Sequence, residues 1–290
     1  KSNFKLINNL KLLIKENNKI LNTLKPTYKY SYSKSIILRN KNFKKLNIIG
    51  MGGSILGAQA IYNFLNHKVI KKFLFIDNLK SKQKRDNQKN VNLIISKSGN
   101  TLETLSNINL LNKINFDNKN TIVVTEKKKE NALKLFAEKR KIPLIEHKKY
   151  IGGRFSVLSE VGMLPAFLMG LNFKKISQGS LISFQKIKKN LLLSSANQLK
   201  KIFLSKKVNS IIFFNYSPQL NSFTYWCQQL LAESLGKNGK GLTPVVSTAP
   251  KDHHSLLQLY LDGPKDKVFY VISSKCKNNI NIKKNLFFNK

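Results

Sequence analysis

Short apolar segments alternate with longer segments of helical periodicity in the first half of the chain. The apolar segments are too short for helices, whereas most segments between them repeat their apolar positions every three to four residues. The alternation predicts strands at 46–49, 73–76, 93–95 and 121–124, and helices at about 55–65, 102–113 and 130–141. Buried strands that alternate with helices form parallel sheets covered on both faces, so we predict an α/β fold.

A second alternation follows a mostly helical stretch from about residue 150 to 204. It predicts strands at 210–214, 244–246 and 268–272, and helices at 221–236 and 254–263. We therefore predict two three-layer αβα sandwiches with mainly parallel sheets, and one or two amphipathic helices within the first 25 residues. The predicted divisions are an N-terminal helical segment at 1–40, a first domain at 41–150, a helical connector at 151–205 and a second domain at 206–290.

The composition is that of a globular protein with a very high positive charge. Hydrophobic residues make up 41% of the 290 residues, and the formal net charge is +38. The lysines are spread along the chain and are not interleaved with aromatic residues, so nucleic acid is not the partner we expect. An anionic small molecule is a simpler partner for this charge.

Neither a membrane segment nor a secretory leader is expected. No apolar run reaches 18 residues, and no basic leader precedes an apolar segment at the start of the sequence. Cys227 and Cys276 lie far apart without metal-ligand spacing, which favours two free thiols in a reducing compartment. We therefore expect a cytoplasmic protein without a metal.

The segment GMGGS, residues 50–54, follows the first predicted strand, at the end where parallel sheets bind ligands. Its glycines allow the backbone to approach a ligand closely, and the start of a helix favours an anion. Gly50 and Gly52 also match the beginning of the dinucleotide fingerprint G-x-G-x-x-G, but the sixth position is Ile55. A nicotinamide site and a tight turn without a ligand are the alternatives for this segment.

The segment SKSGNTLET, residues 96–104, follows the third predicted strand. Four hydroxyl side chains surround Gly99 in the sequence: Ser96, Ser98, Thr101 and Thr104. Hydroxyls and backbone N–H groups at a helix start can hold a phosphate ester, and Lys97 adds positive charge. Asn100 and Glu103 also have the spacing of a capping box, which is the structural alternative for those two residues. The lysine is not placed as in a P-loop, so no nucleoside triphosphate is predicted.

Glu233, Arg154 and a pair of histidines are the remaining chemical candidates. Glu233 is a carboxylate in an otherwise apolar helix, where it could act as a base or form an ion pair with Lys237 at i+4. Arg154 has a permanently charged guanidinium with hydrogen-bond donors in a fixed geometry, which suits an anionic ligand. The alternative is a solvated loop residue. Imidazoles in general can transfer protons near neutral pH, so the pair at 253 and 254 is a candidate, although a histidine is more often structural.

These residues resemble the glucose-6-phosphate isomerase family, whose members contain sugar isomerase (SIS) domains. The resemblance rests on five segments that occur in the family's order between residues 50 and 263: GMGGS, SKSGNTLET, GGRFSVLSEVGMLP, QQLLAESLGKNGKG and HSLLQLYLDG. The combination of GGRFSVLS with ESLGKNGKG is highly specific. The resemblance implies that both predicted sandwiches are SIS-type.

The resemblance also implies an activity, with residues to perform it. The family interconverts glucose 6-phosphate and fructose 6-phosphate through a cis-enediol, in glycolysis and gluconeogenesis, without a cofactor or metal. Glu233 matches the glutamate that transfers the proton, Arg154 the arginine beside the enediolate, and His254 the histidine that opens the ring across a homodimer interface. Substrate contacts are implied for Gly53, Ser54, Ser96, Lys97, Ser98, Thr101, Thr104 and Gln229.

Two other functions remain open at this point. One is an isomerase that acts on a mannose or aminosugar phosphate, and the other is a non-catalytic SIS module that senses a sugar phosphate. A sensor needs the hydroxyl segment but not Glu233, Arg154 and His254 together, so their joint presence argues against it.

The family's last catalytic lysine, and the glutamine that precedes it, have no counterpart in this sequence. The chain reads KKNLFFNK at its end, and no Q-x-G-V-E segment is present. We therefore expect a fragment that lacks a C-terminal part. On its own, the 290-residue chain is expected to be aggregation-prone and nearly inactive.

Overall fold

The computed structural model describes residues 8–9, 12, 19–25, 27–33, 43–79, 90–111, 116–180 and 186–274, with the backbone only for 186–189. The N-terminal helices predicted within residues 1–25 fall mostly outside these ranges. Within that segment Leu21–Leu24 forms a short 3₁₀ helix. Cys276 lies outside the described residues, whereas Cys227 is a free, half-buried thiol.

In the described part of the chain, five parallel strands form the first sheet, in the order β2-β1-β3-β4-β5. Their bounds are β1 Lys45–Ile49, β2 Lys72–Ile76, β3 Asn90–Ile95, β4 Thr121–Thr125 and β5 Leu144–Glu146. The sequence prediction missed β5. This strand is three residues long, and it is defined by pairing with β4 rather than by an apolar run of its own.

Four helices accompany the first sheet: α1 Leu56–Leu65, α2 Leu102–Leu110, α3 Ala132–Lys139 and α4 Glu160–Leu168. Alternate residues of β1 point to opposite faces of the sheet, so Ile48 and Ile49 enter different clusters of buried residues. Ile48 packs in the cluster that contains Leu164 of α4, and Ile49 in the cluster that contains Leu133 of α3. The sheet is therefore covered on both faces, as predicted.

Among the described residues, the second sheet contains three parallel strands in the order β7-β6-β8. Helices α5 Phe173–Gly179 and α6 Lys186–Ser205 precede it. The described residues that follow form β6 Ser210–Asn215, α7 Asn221–Leu235, β7 Thr243–Thr248, α8 Leu257–Asp262 and β8 Lys267–Ile272. Pro244 lies in β7, which is an edge strand of the described sheet, where a missing N–H is tolerated. The predicted α/β class with parallel sheets is thus confirmed in both parts of the chain.

Both sheets share one topology. In each, the first strand along the chain occupies an inner position, the second strand pairs on one side of it and the third on the other. Crevices that bind ligands form where the strand order reverses in this way, between β1 and β3 and between β6 and β8. The domain boundaries drawn from the sequence stay predictions. Within the described ranges, no helix combines the length and apolar character that a membrane crossing requires.

A buried carboxylate joins the N-terminal segment to the first sheet. Glu160, at the start of α4, is only 1% exposed. It accepts hydrogen bonds from Tyr28 Oη at 2.9 Å, from Ser31 N at 2.8 Å and from Ser31 Oγ at 3.0 Å, and Lys148 Nζ lies 3.5 Å away. Burial, together with the nearby Glu160 charge, raises the pKa of the Tyr28 phenol, so this phenol stays protonated as a donor.

Candidate active site

The glycine turn (residues 50–54) and the hydroxyl turn (residues 96–104) lie side by side at the carboxyl edge of the first sheet. β1 and β3 run parallel with Ile49 opposite Ile94, so the chain leaves both strands at the same edge. The two turns approach closely, because a Cβ atom placed on Gly50 would lie 2.9 Å from the carbonyl oxygen of Ile95. The two predicted phosphate-binding segments therefore meet at the switch point of the sheet.

Three hydroxyls of the hydroxyl turn converge. Thr101 Oγ1 lies 2.9 Å from Ser96 Oγ and 3.4 Å from Ser98 Oγ, and the Gly99 N–H donates to Ser96 Oγ at 3.1 Å. Thr101 is the N-cap residue of α2, and its own side chain makes no capping hydrogen bond. The hydroxyls therefore cluster at the start of a helix, where N–H groups and the helix dipole favour an anion.

Gly99 is required by its surroundings. Its φ of +66° lies in the left-handed region, and a Cβ atom there would lie 1.7 Å from Asn131 Oδ1. Asn131 is itself buried, and it caps α3 by accepting a hydrogen bond from the Lys134 N–H at 2.9 Å. A side chain at position 99 would therefore displace the hydroxyl turn from α3.

The capping box considered for Asn100 and Glu103 is wrong. The N-cap of α2 is Thr101, not Asn100. The Asn100 side chain instead accepts a hydrogen bond from the Ala132 N–H at 2.8 Å, at the start of α3. Asn100 therefore connects the hydroxyl turn to the neighbouring helix, a long-range contact that local spacing does not reveal.

Two residues of the predicted phosphate set are placed differently from the three converging hydroxyls. Lys97 Nζ donates to the carbonyl oxygen of Lys149 at 2.7 Å and lies 3.8 Å from Glu126 Oε1. Thr104 is 1% exposed, and its hydroxyl has no hydrogen-bond partner among the described residues. The substrate contacts of both residues stay predictions.

The glycine turn also contacts the segment that contains Arg154. A Cβ atom on Gly53 would lie 2.3 Å from the carbonyl carbon of Gly153, so the two backbones touch. Ser156 Oγ donates to the carbonyl oxygen of Gly53 at 3.1 Å and to that of Gly153 at 2.6 Å. These contacts place the 3₁₀ helix Gly153–Leu158 against the turn that contains Ser54.

Arg154, Glu233 and Gln229 form one connected group at the same edge. Arg154 Nη1 lies 3.1 Å from Glu233 Oε2, and Gln229 Nε2 donates to the other carboxylate oxygen at 2.7 Å. Arg154 Nε also donates to Ser234 Oγ at 3.0 Å. The Glu233 side chain stays 46% exposed, whereas that of Arg154 is 20% exposed. The carboxylate is thus held by two donors while it remains open to solvent.

The structural alternatives for Glu233 and Arg154 are wrong. Helix α7 ends at Leu235, so Lys237 lies beyond it, and among the described contacts Glu233 pairs with Arg154. Arg154 is not a solvated loop residue, because α7 holds its guanidinium on two sides.

Sequence reasoning missed Trp226, the only tryptophan of the chain. Its indole N–H donates to the carbonyl oxygen of Arg154 at 3.0 Å. Trp226 lies three residues before Gln229 and seven before Glu233, so the three side chains share one helical face. That spacing was the available signal.

His254 lies apart from this group. It is exposed and follows the 3₁₀ helix Lys251–His253, just before α8, and no described contact joins its imidazole to Arg154 or Glu233. His253, which the resemblance left unassigned, packs its ring on Phe214 and lies with Nε2 3.0 Å from Tyr216 Oη. The structure thus gives His253 a packing role and leaves His254 at the surface.

Asp252 fixes the turn on which His254 lies, and this predicts a pH dependence. Its Oδ2 accepts hydrogen bonds from the Thr248 N–H at 2.7 Å and from Ser247 Oγ at 3.0 Å. The Thr248 N–H, with a smaller contribution from hydroxyl donors, lowers the pKa of the Asp252 carboxyl. A carboxyl whose pKa is lower in the folded than in the unfolded state stabilises the fold. The stabilisation is fully present when the pH is above the unfolded-state pKa of about 3.9, and it is lost as the pH falls through the folded-state pKa.

We therefore expect Asp252→Asn to lower the hydrogen-exchange protection of the Thr248 amide about fivefold at pH 7, which corresponds to about 1 kcal/mol. The difference from wild type should begin to shrink below about pH 4, where the unfolded chain takes up the proton, and should vanish as the pH falls through the lowered pKa of the folded Asp252 carboxyl. Asp262→Asn, which changes an exposed carboxylate on α8, is the control. A difference that persisted unchanged at pH 3 would contradict this assignment.

The comparisons with known proteins identify the family. The family model described as phosphoglucose isomerase matches residues 13–252. The probable glucose-6-phosphate isomerase of Methanococcus maripaludis is 36% identical over 266 residues, covering 84% of this chain and 60% of that protein. The glucose-6-phosphate isomerase of Methanocaldococcus jannaschii is 37% identical over 249 residues, covering 80% and 61%.

A solved structure agrees with these matches. The crystal structure of a glucose-6-phosphate isomerase from Chlamydia trachomatis superimposes with a TM-score of 0.66 at 25% identity, covering 81% of this chain and 51% of that one. The chain spans about three fifths of the length of the curated relatives named above. Since the family model covers most of its residues, the chain belongs to the phosphoglucose isomerase family.

Proposed function

We propose that the chain is part of an enzyme that performs the aldose–ketose isomerisation of glucose 6-phosphate and fructose 6-phosphate through a cis-enediol. The observation that carries the proposal is the Arg154–Glu233–Gln229 group, which approaches the glycine turn at Gly52 and Gly53, and this turn lies beside the turn with three converging hydroxyls. The Arg154–Glu233–Gln229 group offers a base and a cation, and the hydroxyl turn offers hydrogen-bond donors for a phosphate. Membership of the family and the names of the relatives support the choice of substrate.

In this proposal the hydroxyl turn binds the phosphate. Ser96, Ser98 and Thr101 donate hydrogen bonds to its oxygens, and the N–H groups at the starts of α1 and α2 add their partial positive charge. The backbone of Gly53 and the hydroxyl of Ser54 approach from the glycine turn. Lys97 and Thr104 belong to the same turn and are proposed as further substrate contacts, although neither side chain contacts the three converging hydroxyls among the described residues.

Glu233 transfers the proton between C1 and C2 of the opened sugar. Because Gln229 and Arg154 each hold one of its oxygens, the carboxylate is oriented before substrate binds. When the proton leaves carbon, negative charge develops on the enediolate oxygen, and the Arg154 guanidinium can stabilise it. Gln229 lines the sugar beside them.

His254 opens the sugar ring in this proposal, from the second chain of a homodimer. Its exposure in one chain and the firm attachment of its turn through Asp252 support a role at a neighbouring subunit's site. The glycolytic substrate also makes the cytoplasm the proposed location, with no cofactor, metal, membrane or nucleic acid required.

The proposal is tested by incubating fructose 6-phosphate in D₂O with the chain extended by its downstream sequence, and following the C1 and C2 protons by NMR. Deuterium incorporation, with glucose 6-phosphate appearing, is expected from the extended chain, whereas the 290-residue chain alone should be nearly inactive. Mannose 6-phosphate and glucosamine 6-phosphate are tested in parallel. If deuterium exchanged faster into either of them than into fructose 6-phosphate, that sugar phosphate would be the better assignment of the substrate. Binding of fructose 6-phosphate without any exchange would contradict an isomerase and favour a sensor.

Thr101→Ala should weaken the binding of phosphorylated sugars selectively. A hydrogen bond to a charged group is worth about 1.5–3 kcal/mol, so the dissociation constant for glucitol 6-phosphate should rise about 10- to 150-fold. Calorimetry measures both this ligand and neutral glucitol, whose affinity should not change. Asn109→Ala, at an exposed position on the same helix, is the control. Equal weakening of both ligands would exclude a phosphate-binding role for Thr101.

A further inference from the structure

A second polar cleft lies at the carboxyl edge of the second sheet. Its volume is about 780 Å³, and its lining includes Asn63, Phe64, Asn66, His67, Gln219 and Ser274. None of these residues takes part in the proposed isomerase chemistry. A volume of this size is ordinary for a small-molecule site.

The cleft occupies the place in the second sheet that the hydroxyl turn occupies in the first. In the first sheet, Ser96 lies two residues beyond Ile94, the partner of the last residue of β1. In the second sheet, Ser274 lies two residues beyond Ile272, the partner of the last residue of β6. Ser274 is therefore at the β6/β8 switch point as Ser96 is at the β1/β3 switch point.

Hydroxyls and amides converge there, as hydroxyls do in the first sheet. Ser217 Oγ lies 2.9 Å from Ser274 Oγ, the same separation as between Ser96 Oγ and Thr101 Oγ1. Gln219 Nε2 donates to Ser274 Oγ at 2.6 Å. The Ser217 N–H donates to Asn215 Oδ1 at 3.0 Å, which fixes the turn after β6.

The opposite wall comes from the first part of the chain. The last turn of α1 and the short helix after it contribute Asn63, Phe64, Asn66 and His67. Asn63 Nδ2 donates to Ser222 Oγ at 2.6 Å, so this wall is joined to the start of α7. The Phe64 ring is 46% exposed. The cleft thus lies between elements of both sheets, a preferred position for ligand sites.

The residue types indicate the class of ligand. Among the lining residues of the described chain, amides and hydroxyls predominate, His67 is the only titratable group, and Phe64 offers an exposed ring face. Amides and hydroxyls both donate and accept, as the hydroxyls of a sugar do, and an aromatic face packs on its C–H groups. We propose that this cleft binds a polyhydroxylated small molecule, a sugar or a sugar phosphate, at a second site on the chain.

The four histidines of the chain provide a direct test by NMR. Each imidazole gives separate C–H signals, and His67→Gln identifies those of the cleft. We expect saturating glucitol 6-phosphate to shift the His67 signal in the wild-type chain and in Thr101→Ala, which weakens the first site. Gln219→Ala should raise the dissociation constant read from this signal about three- to tenfold, as expected for one neutral hydrogen bond. Asn66→Ala, at an exposed position, provides a second variant if Gln219→Ala does not fold.

A comparison of neutral glucitol with glucitol 6-phosphate distinguishes the two proposed classes of ligand, a sugar and a sugar phosphate. An equal response to glucitol and glucitol 6-phosphate supports recognition of the polyol, and a response to the phosphate alone supports recognition of a sugar phosphate through His67. No shift of His67 with either ligand would overturn the proposal. A shift that disappeared in Thr101→Ala and persisted in both cleft variants would overturn it as well, because the ligand would then occupy the first site only.

Discussion

Glu233→Gln should lower the rate of proton exchange at C2 of the sugar phosphate about 100- to 10,000-fold, the usual cost of losing a general base. The amide keeps the shape of the side chain and can still accept from Arg154, but it cannot take a proton from carbon. Binding of glucitol 6-phosphate should change little, because the phosphate is held by the hydroxyl turn. Exchange in D₂O, followed in the chain extended by its downstream sequence, measures the rate, and calorimetry measures the binding.

Glu138→Gln is the matched control, since it changes an exposed carboxylate on α3 whose partner is Lys134. It should leave both the exchange rate and the binding as in wild type. If Glu233→Gln exchanged the C2 proton at the wild-type rate, Glu233 would not be the base. If binding fell in parallel with the rate, the side chain would act in binding rather than in proton transfer.

Glu160→Gln should lower the free energy of unfolding by about 3–5 kcal/mol, as expected when one member of a buried charged network is removed. The carboxylate accepts from Tyr28 and Ser31 and pairs with Lys148. An amide would direct two N–H donors at groups that also donate, and it would leave the lysine without its partner charge. Urea unfolding followed by circular dichroism measures the change.

Glu103→Gln, at an exposed position on α2, is the control and should stay within about 0.5 kcal/mol of wild type. Tyr28→Phe removes a single donor to the carboxylate and should cost about 1.5–3 kcal/mol. Equal unfolding midpoints for Glu160→Gln and Glu103→Gln would show that the buried network contributes nothing to stability.

The architecture was predictable because parallel strands are buried on both faces. Residues 46–49 and 121–124 are short, mainly apolar segments in which Asn47 and Thr121 are the polar members, and each segment forms a buried strand. Since parallel strands end at one edge, both turns were expected at the ligand-binding edge of the sheet, but that they are neighbours depends on the pairing of β1 with β3, which the sequence did not reveal. The strand at Leu144–Glu146 was not predictable, because its pairing with β4 rather than its own sequence defines it.

The contacts within the site were less predictable, because they join distant segments. Spacing suggested Lys237 as the partner of Glu233, whereas the partner in the structure is Arg154. Spacing also suggested that Asn100 caps α2, whereas its side chain bonds to the Ala132 N–H. Local patterns report interactions within one helix or turn, and these two contacts cross between elements. The resemblance named Arg154 and Glu233, but only the structure shows that they touch.

The contact between the glycine turn and the Arg154 segment has a consequence for the order of assembly on the ribosome. The hydroxyls of this turn contact partners three to five residues apart, and the most distant hydrogen-bond partner described for the turn, the Lys149 carbonyl oxygen, lies 52 residues beyond Lys97, so the turn can be complete once Lys149 is synthesised. Gly53 must wait for Ser156, 103 residues later, and Arg154 for Glu233, a further 79 residues on. At about 5–20 residues per second, that last interval takes roughly 4–16 seconds. The nascent chain thus completes its phosphate-binding turn well before its proton-transfer group is assembled.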